Sequence, residues 1–217
     1  VLKQVLKHNE LNDKLVFSTI HGWDYFSVKS YVKALLKRGD FHGYCLGSLV
    51  PLTPNYSKIV ELIISAKRHI PENRPLHVFG MTGPATMPLL AYLGVDTMDS
   101  KTYVIAAAKR LYFIPGYFRR LSMEELQKFD ELPCNCPICR KNEIVDIRNQ
   151  KSLLTLHNLY ALLQELKLIR LAIRENRLAK YEKLKRKHKT DTQGLKILLE
   201  KLKNEINLLE FGEEEYE

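Results

Sequence analysis

Short apolar runs alternate with longer amphipathic segments through the first hundred residues of the chain. Four runs have the near-continuous apolar character of buried β-strands, and they span 15–20, 43–50, 76–80 and 95–99. The segments between them space apolar residues three or four positions apart, which predicts helices over 21–41, 54–70 and 82–94. In the second helix the stripe expected to be buried consists of Ile59, Leu62, Ile63 and Ala66. The pattern predicts successive strand–helix units.

Near-continuous apolar strands joined by helices favour a parallel sheet that is buried on both faces. A (β/α)8 TIM barrel has eight such units in about 250 residues, so the predicted fold class is α/β, the C-terminal half of a TIM barrel. Chemistry in such barrels lies at the C-terminal ends of the strands. The corresponding positions here are 18–22, Gly47 with Ser48, 80–83, and Asp99 with Ser100. At such a position Asp99 is either a functional carboxylate or a turn or capping residue.

Three of the chain's four cysteines lie close together and are followed by a histidine in an apolar helical pattern. Cys134, Cys136 and Cys139 have the spacing C-x-C-x-x-C, and His157 comes 18 residues after the last of them (157 − 139). Three thiolates and one imidazole form the closed tetrahedral ligand set of structural zinc, which leaves no position for a substrate. A disulfide is the alternative, but nothing else in the sequence indicates secretion. The pattern predicts a structural Zn²⁺ site.

Basic and aromatic residues are interleaved after the fourth predicted strand. Between 101 and 129 the basic residues include Lys109, Arg110, Arg119 and Arg120, with tyrosines and phenylalanines among them. This mixture suits phosphate contacts and base stacking in nucleic-acid binding. Packing of the aromatic side chains against the sheet explains it equally well.

The chain around and beyond His157 has a helical pattern. Its apolar stripe is predicted to consist of Leu156, Leu159, Leu163, Leu166 and Ile169. Basic residues recur on another face, and they are Lys167, Arg170, Arg174 and Arg177. This face is either a phosphate-binding track or solvated surface. A basic cluster at 183–189 and an amphipathic helix at 195–210 follow.

Composition indicates the class of protein, the charge of its partner and its expected location in the cell. The 217 residues are 45% hydrophobic, which is sufficient for a buried core, and the net charge of +9 favours a polyanionic partner. No apolar run approaches the ~20 residues of a membrane span and no leader opens the sequence, so we expect a cytoplasmic protein without a membrane partner. Val1 already lies in a helical pattern, and we expect a further N-terminal portion. The predicted domains are the half barrel at 1–129, a zinc-binding subdomain with its helix at 130–180, and a basic helical tail at 181–217.

Several motifs taken together resemble one enzyme family. GYCLGSLVPL, RPLHVFG, LGVDTMDSKTY and PCNCPIC followed by LHNLY are similar to the tRNA-guanine transglycosylases, and most of all to the archaeosine-type branch. The similarity runs over about 15–177 and corresponds to the latter half of that family's catalytic barrel. It implies exchange of a guanine in tRNA for a 7-deazaguanine such as preQ0, through a covalent enzyme–ribose intermediate, in a protein that also holds zinc.

The resemblance also implies roles for particular residues. Asp99, in VDTMDS, would be the nucleophile that attacks the anomeric carbon of the ribose. Gly47, Ser48 and Leu49 would contact the base, and His21 with Gly22 would read its edge, although the family usually has glutamine where His21 stands. Met81, Thr82 and Gly83 likewise replace a glycine-rich turn. The family's second aspartate, a general acid/base, belongs to the first half of the barrel.

The partners implied are tRNA and a 7-deazaguanine base, with a possible homodimer. Two other interpretations fit the same residues. The chain could belong to a DNA-directed relative that inserts 7-deazaguanines into DNA, or to a non-catalytic partner subunit that binds nucleic acid. Retention of a carboxylate at the end of the fourth strand favours an enzyme over a scaffold.

Overall fold

A four-stranded parallel sheet forms the first part of the protein. The structure, a computed structural model, describes residues 14–52, 55–84, 86–115 and 120–181, so the predictions for 1–13 and 182–217 lie outside the described residues. The strands are β1 (Phe17–Ile20), β2 (Gly43–Leu46), β3 (Leu76–Val78) and β4 (Thr97–Met98). Their order is β1-β2-β3-β4, with every neighbouring pair parallel. The predicted parallel α/β sheet is confirmed, and within the described residues it is open, with β1 and β4 at its edges.

Helices connect the strands as the hydrophobic pattern predicted. They are α1 (Tyr25–Leu36), α2 (Tyr56–His69) and α3 (Met87–Tyr92), and α4 (Thr102–Ala108) follows β4. Asp24 begins α1, where its side chain accepts a hydrogen bond from the backbone N–H of Ser27. Gly94 follows α3 with a φ of +81°, a left-handed conformation that suits glycine at the end of a helix.

The main core lies between the sheet and the first three helices. All four residues of the predicted α2 stripe are buried, with exposures of at most 1%. They pack with side chains from each of the first three strands, among them Ile20, Leu46 and Val78. The strand β2 is buried along its whole length, as expected of an inner strand covered on both faces.

In the second part of the protein, the described part of the chain after α4, a small hairpin is followed by further helices. The hairpin pairs β5 (Tyr112–Phe113) with β6 (Arg120–Leu121) in antiparallel fashion, and the helices are α5 (Met123–Leu126), α6 (Ile144–Asn149) and α7 (Lys151–Arg174). Helix α7 has 24 residues, which corresponds to about 36 Å. None of the helices in the described ranges combines the length and hydropathy that a membrane crossing requires.

The buried face of α7 differs from the predicted stripe. Leu156 and Leu163 are 52% and 47% exposed, whereas Ala161, Leu162 and Ile169 are buried. The buried face also carries polar residues that hydrophobicity does not reveal, and these are His157, Asn158 and Glu165. Helix α7 packs on α4 and α3 through this face, so the second part of the protein supports the helix that follows β4.

Candidate active site and metal centre

The C-terminal ends of the four parallel strands bring the predicted site residues to one edge of the sheet. His21 follows β1, Gly47 follows β2, Gly80 lies shortly after β3, and Asp99 follows β4. Because neighbouring strands are about 4.8 Å apart, the three spacings between β1 and β4 separate these two strands by about 14 Å along the sheet. His21 and Asp99 therefore follow the two outermost strands of the sheet, and Gly47 and Gly80 follow the strands between them.

Gly47 lies between the ends of β1 and β3. Its backbone N–H donates to the carbonyl of Ile20 at 3.2 Å. A Cβ at this position would lie 3.4 Å from Cε1 of His21, so the imidazole of His21 is beside the Gly47 backbone. Ser48 is exposed and has a φ of +62°, a left-handed conformation that is uncommon for serine, while Leu49 is buried in the main core. Gly22 approaches α1 so closely that a Cβ would lie 2.6 Å from Cγ2 of Val28.

Asp99 has one carboxylate oxygen held by two donors. The backbone N–H of Gly80 donates to its Oδ1 at 3.0 Å, and Nε2 of His77 lies 3.3 Å from the same oxygen. The side chain of Asp99 is nevertheless 60% exposed, whereas that of His77 is 18% exposed. Asp99 is therefore a partly anchored carboxylate that faces solvent at the sheet edge.

The turn after β3 is shaped to approach Asp99. Gly80 has a φ of +69°, and a Cβ there would lie 2.7 Å from Cγ2 of Val50, so glycine is required on both conformational and steric grounds. Thr82 donates its hydroxyl to the backbone carbonyl of Asp99 at 3.1 Å. Thr82 thus ties the turn after β3 to the residue that follows β4.

The basic residues predicted to bind nucleic acid are distributed over several places. The guanidinium of Arg120 lies 5.5 Å from the ring centroid of Phe113, and its Nη2 would be 3.9 Å from a Cβ at Gly83, beside the candidate site. Lys109 and Arg110 follow the C-terminal end of α4, about 10 Å along the helix from the sheet edge where α4 begins. Arg110 donates to the backbone carbonyl of Arg148.

Two further residues predicted to bind nucleic acid lie on α7. Arg170 and Arg174 are exposed in the C-terminal part of α7. Arg119 lies outside the described residues. The structure therefore brings Arg120 to the candidate site and places Lys109, Arg110, Arg170 and Arg174 elsewhere.

The three clustered cysteines and His157 form a compact group. One potential ligand atom from each of Cys134, Cys136, Cys139 and His157 lies within 4.8 Å of all the others, and none of the chain's cysteines forms a disulfide. With Zn–S distances of about 2.3 Å, ligand sulfurs on a tetrahedral zinc ion lie about 3.8 Å apart. Three of the four residues are buried and Cys134 is half-buried. The group has the composition and the spacing of a closed zinc site.

Hydrogen bonds fix the histidine so that the correct nitrogen faces the sulfurs. Nε2 of His157 donates to the backbone carbonyl of Phe113 at 2.7 Å, so Nδ1 is the nitrogen that is available to bind a metal. Nδ1 lies 3.5 Å from Sγ of Cys136 and 3.2 Å from Sγ of Cys139. A carbonyl partner on the remote nitrogen is the usual support of a metal-binding histidine. The tautomer of His157 therefore fits a metal ligand.

The thiols cannot all ionise easily without a cation. A hydrogen bond joins the thiols of Cys134 and Cys139. It lowers the pKa of Cys134 to about 4 and raises the pKa of Cys139. Burial, together with the adjacent Cys139 sulfur, raises the pKa of the Tyr112 hydroxyl. A divalent cation would allow the three thiols to ionise together because it pairs with several thiolates at once. The residues present therefore fit a metal ion.

Two residues that support the cluster are not revealed by the sequence pattern. Tyr112 stacks on the imidazole of His157 with centroids 3.8 Å apart, and its hydroxyl lies 3.3 Å from Sγ of Cys139. Asn158 accepts from the N–H of Phe113 and donates to the carbonyl of Leu111, both at 2.9 Å. The adjacent residues His157 and Asn158 thus both form hydrogen bonds with the backbone of β5, and Asn158 also binds Leu111, the residue before it. The only sequence signal was a polar pair inside an apolar helical pattern.

His77 is the residue near Asp99 that sequence reasoning missed. It lies in the middle of an apolar strand run, where a histidine is easily taken for a core residue. Its contact with Asp99 depends on the register of β3 against β4, which pairs His77 with Thr97. Only the folded sheet reveals it.

Comparisons with known proteins give a consistent result. A family model described as queuine tRNA-ribosyltransferase matches residues 1–190. The chain is 31% identical over 193 residues to a tRNA-guanine(15) transglycosylase of Methanococcus aeolicus, covering 82% of this chain and 29% of that relative. It is 30% identical over 213 residues to a protein of the same name from Aeropyrum pernix, covering 94% of this chain and 40% of the relative. The chain thus spans about a third of the length of these curated relatives.

Proposed function

Because the chain belongs to the queuine tRNA-ribosyltransferase family, we propose that it forms part of a tRNA-guanine transglycosylase that exchanges a guanine in tRNA for a 7-deazaguanine. The observation that carries the proposal is the position of Asp99 at the C-terminal edge of a parallel sheet, with one oxygen anchored and the side chain exposed. In parallel α/β barrels this edge is where catalytic residues lie. We propose accordingly that 1–129 is the C-terminal half of a TIM barrel, with 130–180 as its zinc-binding subdomain and 181–217 as a basic tail.

Asp99 acts in this proposal as the nucleophile. Its carboxylate attacks the anomeric carbon of the target guanosine, and the bond from that carbon to N9 breaks with its electron pair leaving on guanine. The product is a ribosyl ester on Asp99. The departing guanine takes up a proton at N9 from the general acid/base aspartate that the family resemblance implies. N9 of the incoming 7-deazaguanine then attacks the same carbon and gives its proton to that aspartate, and the carboxylate of Asp99 leaves. A carboxylate suits both steps because it is a competent nucleophile and a competent leaving group at an oxocarbenium-like centre.

The neighbouring strand ends supply the site for the base. Gly47 has no side chain to obstruct close approach of a planar ring, and Ser48 is presented to solvent beside it. The imidazole of His21 lies beside Gly47, on the strand farther from Asp99, and is proposed to contact the edge of a base whose ribose is at Asp99. Gly22 allows the backbone to turn directly after His21, and Leu49 fixes the loop in the core.

Arg120 is the best placed of the proposed tRNA contacts. A guanidinium stacked on Phe113 beside Gly83 is close to where the phosphates that flank the target nucleotide would lie. Arg170 and Arg174, with Lys109, Arg110 and Arg119, are proposed to bind the backbone at greater distance from the target. A homodimer remains a proposal carried by the family resemblance.

The metal centre has a structural role in this proposal. Cys134, Cys136, Cys139 and His157 would hold Zn²⁺, which would supply cross-linking of the loop to α7 and take no part in base exchange because all four positions are filled. Helix α7 packs on α4, which begins three residues after Asp99, so the centre supports the catalytic strand end indirectly.

The proposal is tested by incubating the active protein that contains this chain with radiolabelled guanine and nucleic acid. We expect label to enter unmodified tRNA and not duplex DNA of matched guanine content. Label in DNA alone would support the DNA-directed alternative and overturn the tRNA assignment. Binding of tRNA without any incorporation would support the non-catalytic interpretation instead.

A further inference from the structure

We propose that His77 is a positioning residue that holds Oδ1 of Asp99 and thereby presents Oδ2 as the attacking oxygen. The inference rests on the proposed function, because it assigns a role in the attack of Asp99 on the ribose. It concerns a side chain that does not reach the reacting atoms itself and acts through the carboxylate.

The register of the sheet places the three side chains on one face. His77 in β3 is the partner of Thr97 in β4, and Asp99 comes two residues after Thr97. Because side chains alternate along a strand, Thr97 and Asp99 project from the same face. The imidazole of His77 bridges them, with Nδ1 2.9 Å from Oγ1 of Thr97 and Nε2 3.3 Å from Oδ1 of Asp99.

The chemistry of these groups fixes the direction of the hydrogen bonds. A carboxylate only accepts, so Nε2 of His77 carries the proton in its contact with Asp99. Nδ1, on the other side of the ring, lies next to the hydroxyl of Thr97, so the imidazole is held at both nitrogens. The ring of Phe79 lies edge-on to the imidazole with centroids 4.7 Å apart and limits its rotation.

The two oxygens of Asp99 are consequently unequal. Oδ1 accepts from His77 and from the backbone N–H of Gly80, whereas no donor among the described residues reaches Oδ2. Two donors on one oxygen restrain the orientation of the carboxylate. A nucleophile that is restrained in this way needs less reorganisation to reach the attack geometry, and a misplacement of about 1 Å can cost about 100-fold in rate.

The test compares two amide substitutions in the active protein. The side-chain nitrogen of glutamine lies close to the position of Nε2 of histidine, so His77→Gln keeps a donor to Asp99. The nitrogen of asparagine lies near the position of Nδ1, so His77→Asn keeps a polar group next to Thr97 and loses the donor to Asp99. We expect kcat for guanine exchange to fall between about 10- and 100-fold in His77→Asn and less than about 3-fold in His77→Gln, with KM for tRNA unchanged in both.

Two further measurements separate positioning from a general structural effect. The rate of covalent adduct formation in a single turnover should fall in His77→Asn by the same factor as kcat. Thr97→Val, which leaves His77 in place and removes the hydroxyl that holds its Nδ1, should lower kcat about 2- to 5-fold at an unchanged thermal midpoint.

Several results would overturn the proposal. Equal loss of kcat in His77→Gln and His77→Asn would show that the imidazole itself, and not a donor at the Nε2 position, is required. Wild-type rates in His77→Asn would show that the contact between His77 and Asp99 has no role. If Asp99→Asn is inactive in the same assay, the proposed function stands and only the role of His77 is overturned. Absence of exchange by the unsubstituted protein would remove the proposed function and this inference together.

Discussion

Replacement of Asp99 with asparagine is expected to lower kcat for guanine exchange by at least about 10⁴-fold, because the nucleophile itself is removed. Asparagine has nearly the same shape and still accepts through its oxygen from the N–H of Gly80. The substitution should therefore leave the fold and the affinity for tRNA intact. The measurement is incorporation of labelled guanine into tRNA, with tRNA affinity determined in parallel.

Asp96→Asn is a matched control for this variant. Asp96 lies just before β4, at the N-terminal end of the strand, whereas Asp99 follows its C-terminal end. Its Oδ2 accepts from the N–H of Leu76 at 2.8 Å and pairs with Lys67 at 3.3 Å, so it has a structural role. Asp96→Asn should retain at least about half of the wild-type rate, since surface ion pairs contribute only about 0–1 kcal/mol to stability. Exchange by Asp99→Asn at a rate close to that of Asp96→Asn would contradict the assignment of the nucleophile.

Replacement of Cys136 with serine is expected to remove the metal and destabilise the second part of the protein. Bound zinc should fall from one ion per chain to less than about 0.1, because a hydroxyl does not replace a thiolate ligand at neutral pH. Loss of a structural zinc ion removes several kcal/mol of folding free energy, so the thermal midpoint should fall by about 10 °C or more. Metal content is measured by elemental mass spectrometry and stability by thermal unfolding.

Cys45→Ser is the corresponding control. Cys45 is buried in β2 and does not belong to the cluster, so the same chemical change there should cost about 1–3 kcal/mol and leave the zinc content unchanged. A strong chelator should lower the midpoint of the wild type and of Cys45→Ser and have no further effect on Cys136→Ser. Full zinc occupancy in Cys136→Ser, or a chelated protein with an unaltered midpoint, would contradict a structural metal centre.

The strands and the first helices follow from local sequence. In α2 the apolar residues recur at helical spacing and every member of the predicted stripe is buried, because the apolar face of this helix packs against α1 and against side chains from the sheet. β1 ends at the predicted position, and β3 and β4 end within two residues of theirs. β2 ends at Leu46, four residues before the predicted run ends, because the chain turns at Ser48, where φ is +62°. For these elements, burial is determined mainly by hydrophobicity, which the sequence displays directly.

Helix α7 shows where this reasoning fails. Its buried face contains His157, which faces the cysteines, and Asn158, which binds β5, together with the small Ala161. Polar side chains are buried when specific partners satisfy them, and the partners come from distant parts of the chain. A stripe chosen by hydrophobicity alone therefore selected Leu156 and Leu163, which are exposed.

The sequence predicts the two candidate sites to different degrees, again because some of their contacts depend on distant parts of the chain. The zinc ligands could be predicted because three of them lie within six residues and form a pattern of fixed chemistry. The position of Asp99 at a strand end could also be inferred from the alternation of strands and helices. The contact between His77 and Asp99 could not, because it depends on which residue of β3 pairs with which residue of β4.

The most direct test of the central claim is to identify the residue that carries the ribose during base exchange. The active protein is mixed with tRNA without an incoming base, quenched in denaturant, and digested with ribonuclease and trypsin for peptide mass spectrometry. We predict a ribosyl adduct on the tryptic peptide that ends at Lys101, with fragmentation placing it on Asp99 and not on Asp96. An adduct on another residue, or continued exchange with no adduct on Asp99, would contradict the account.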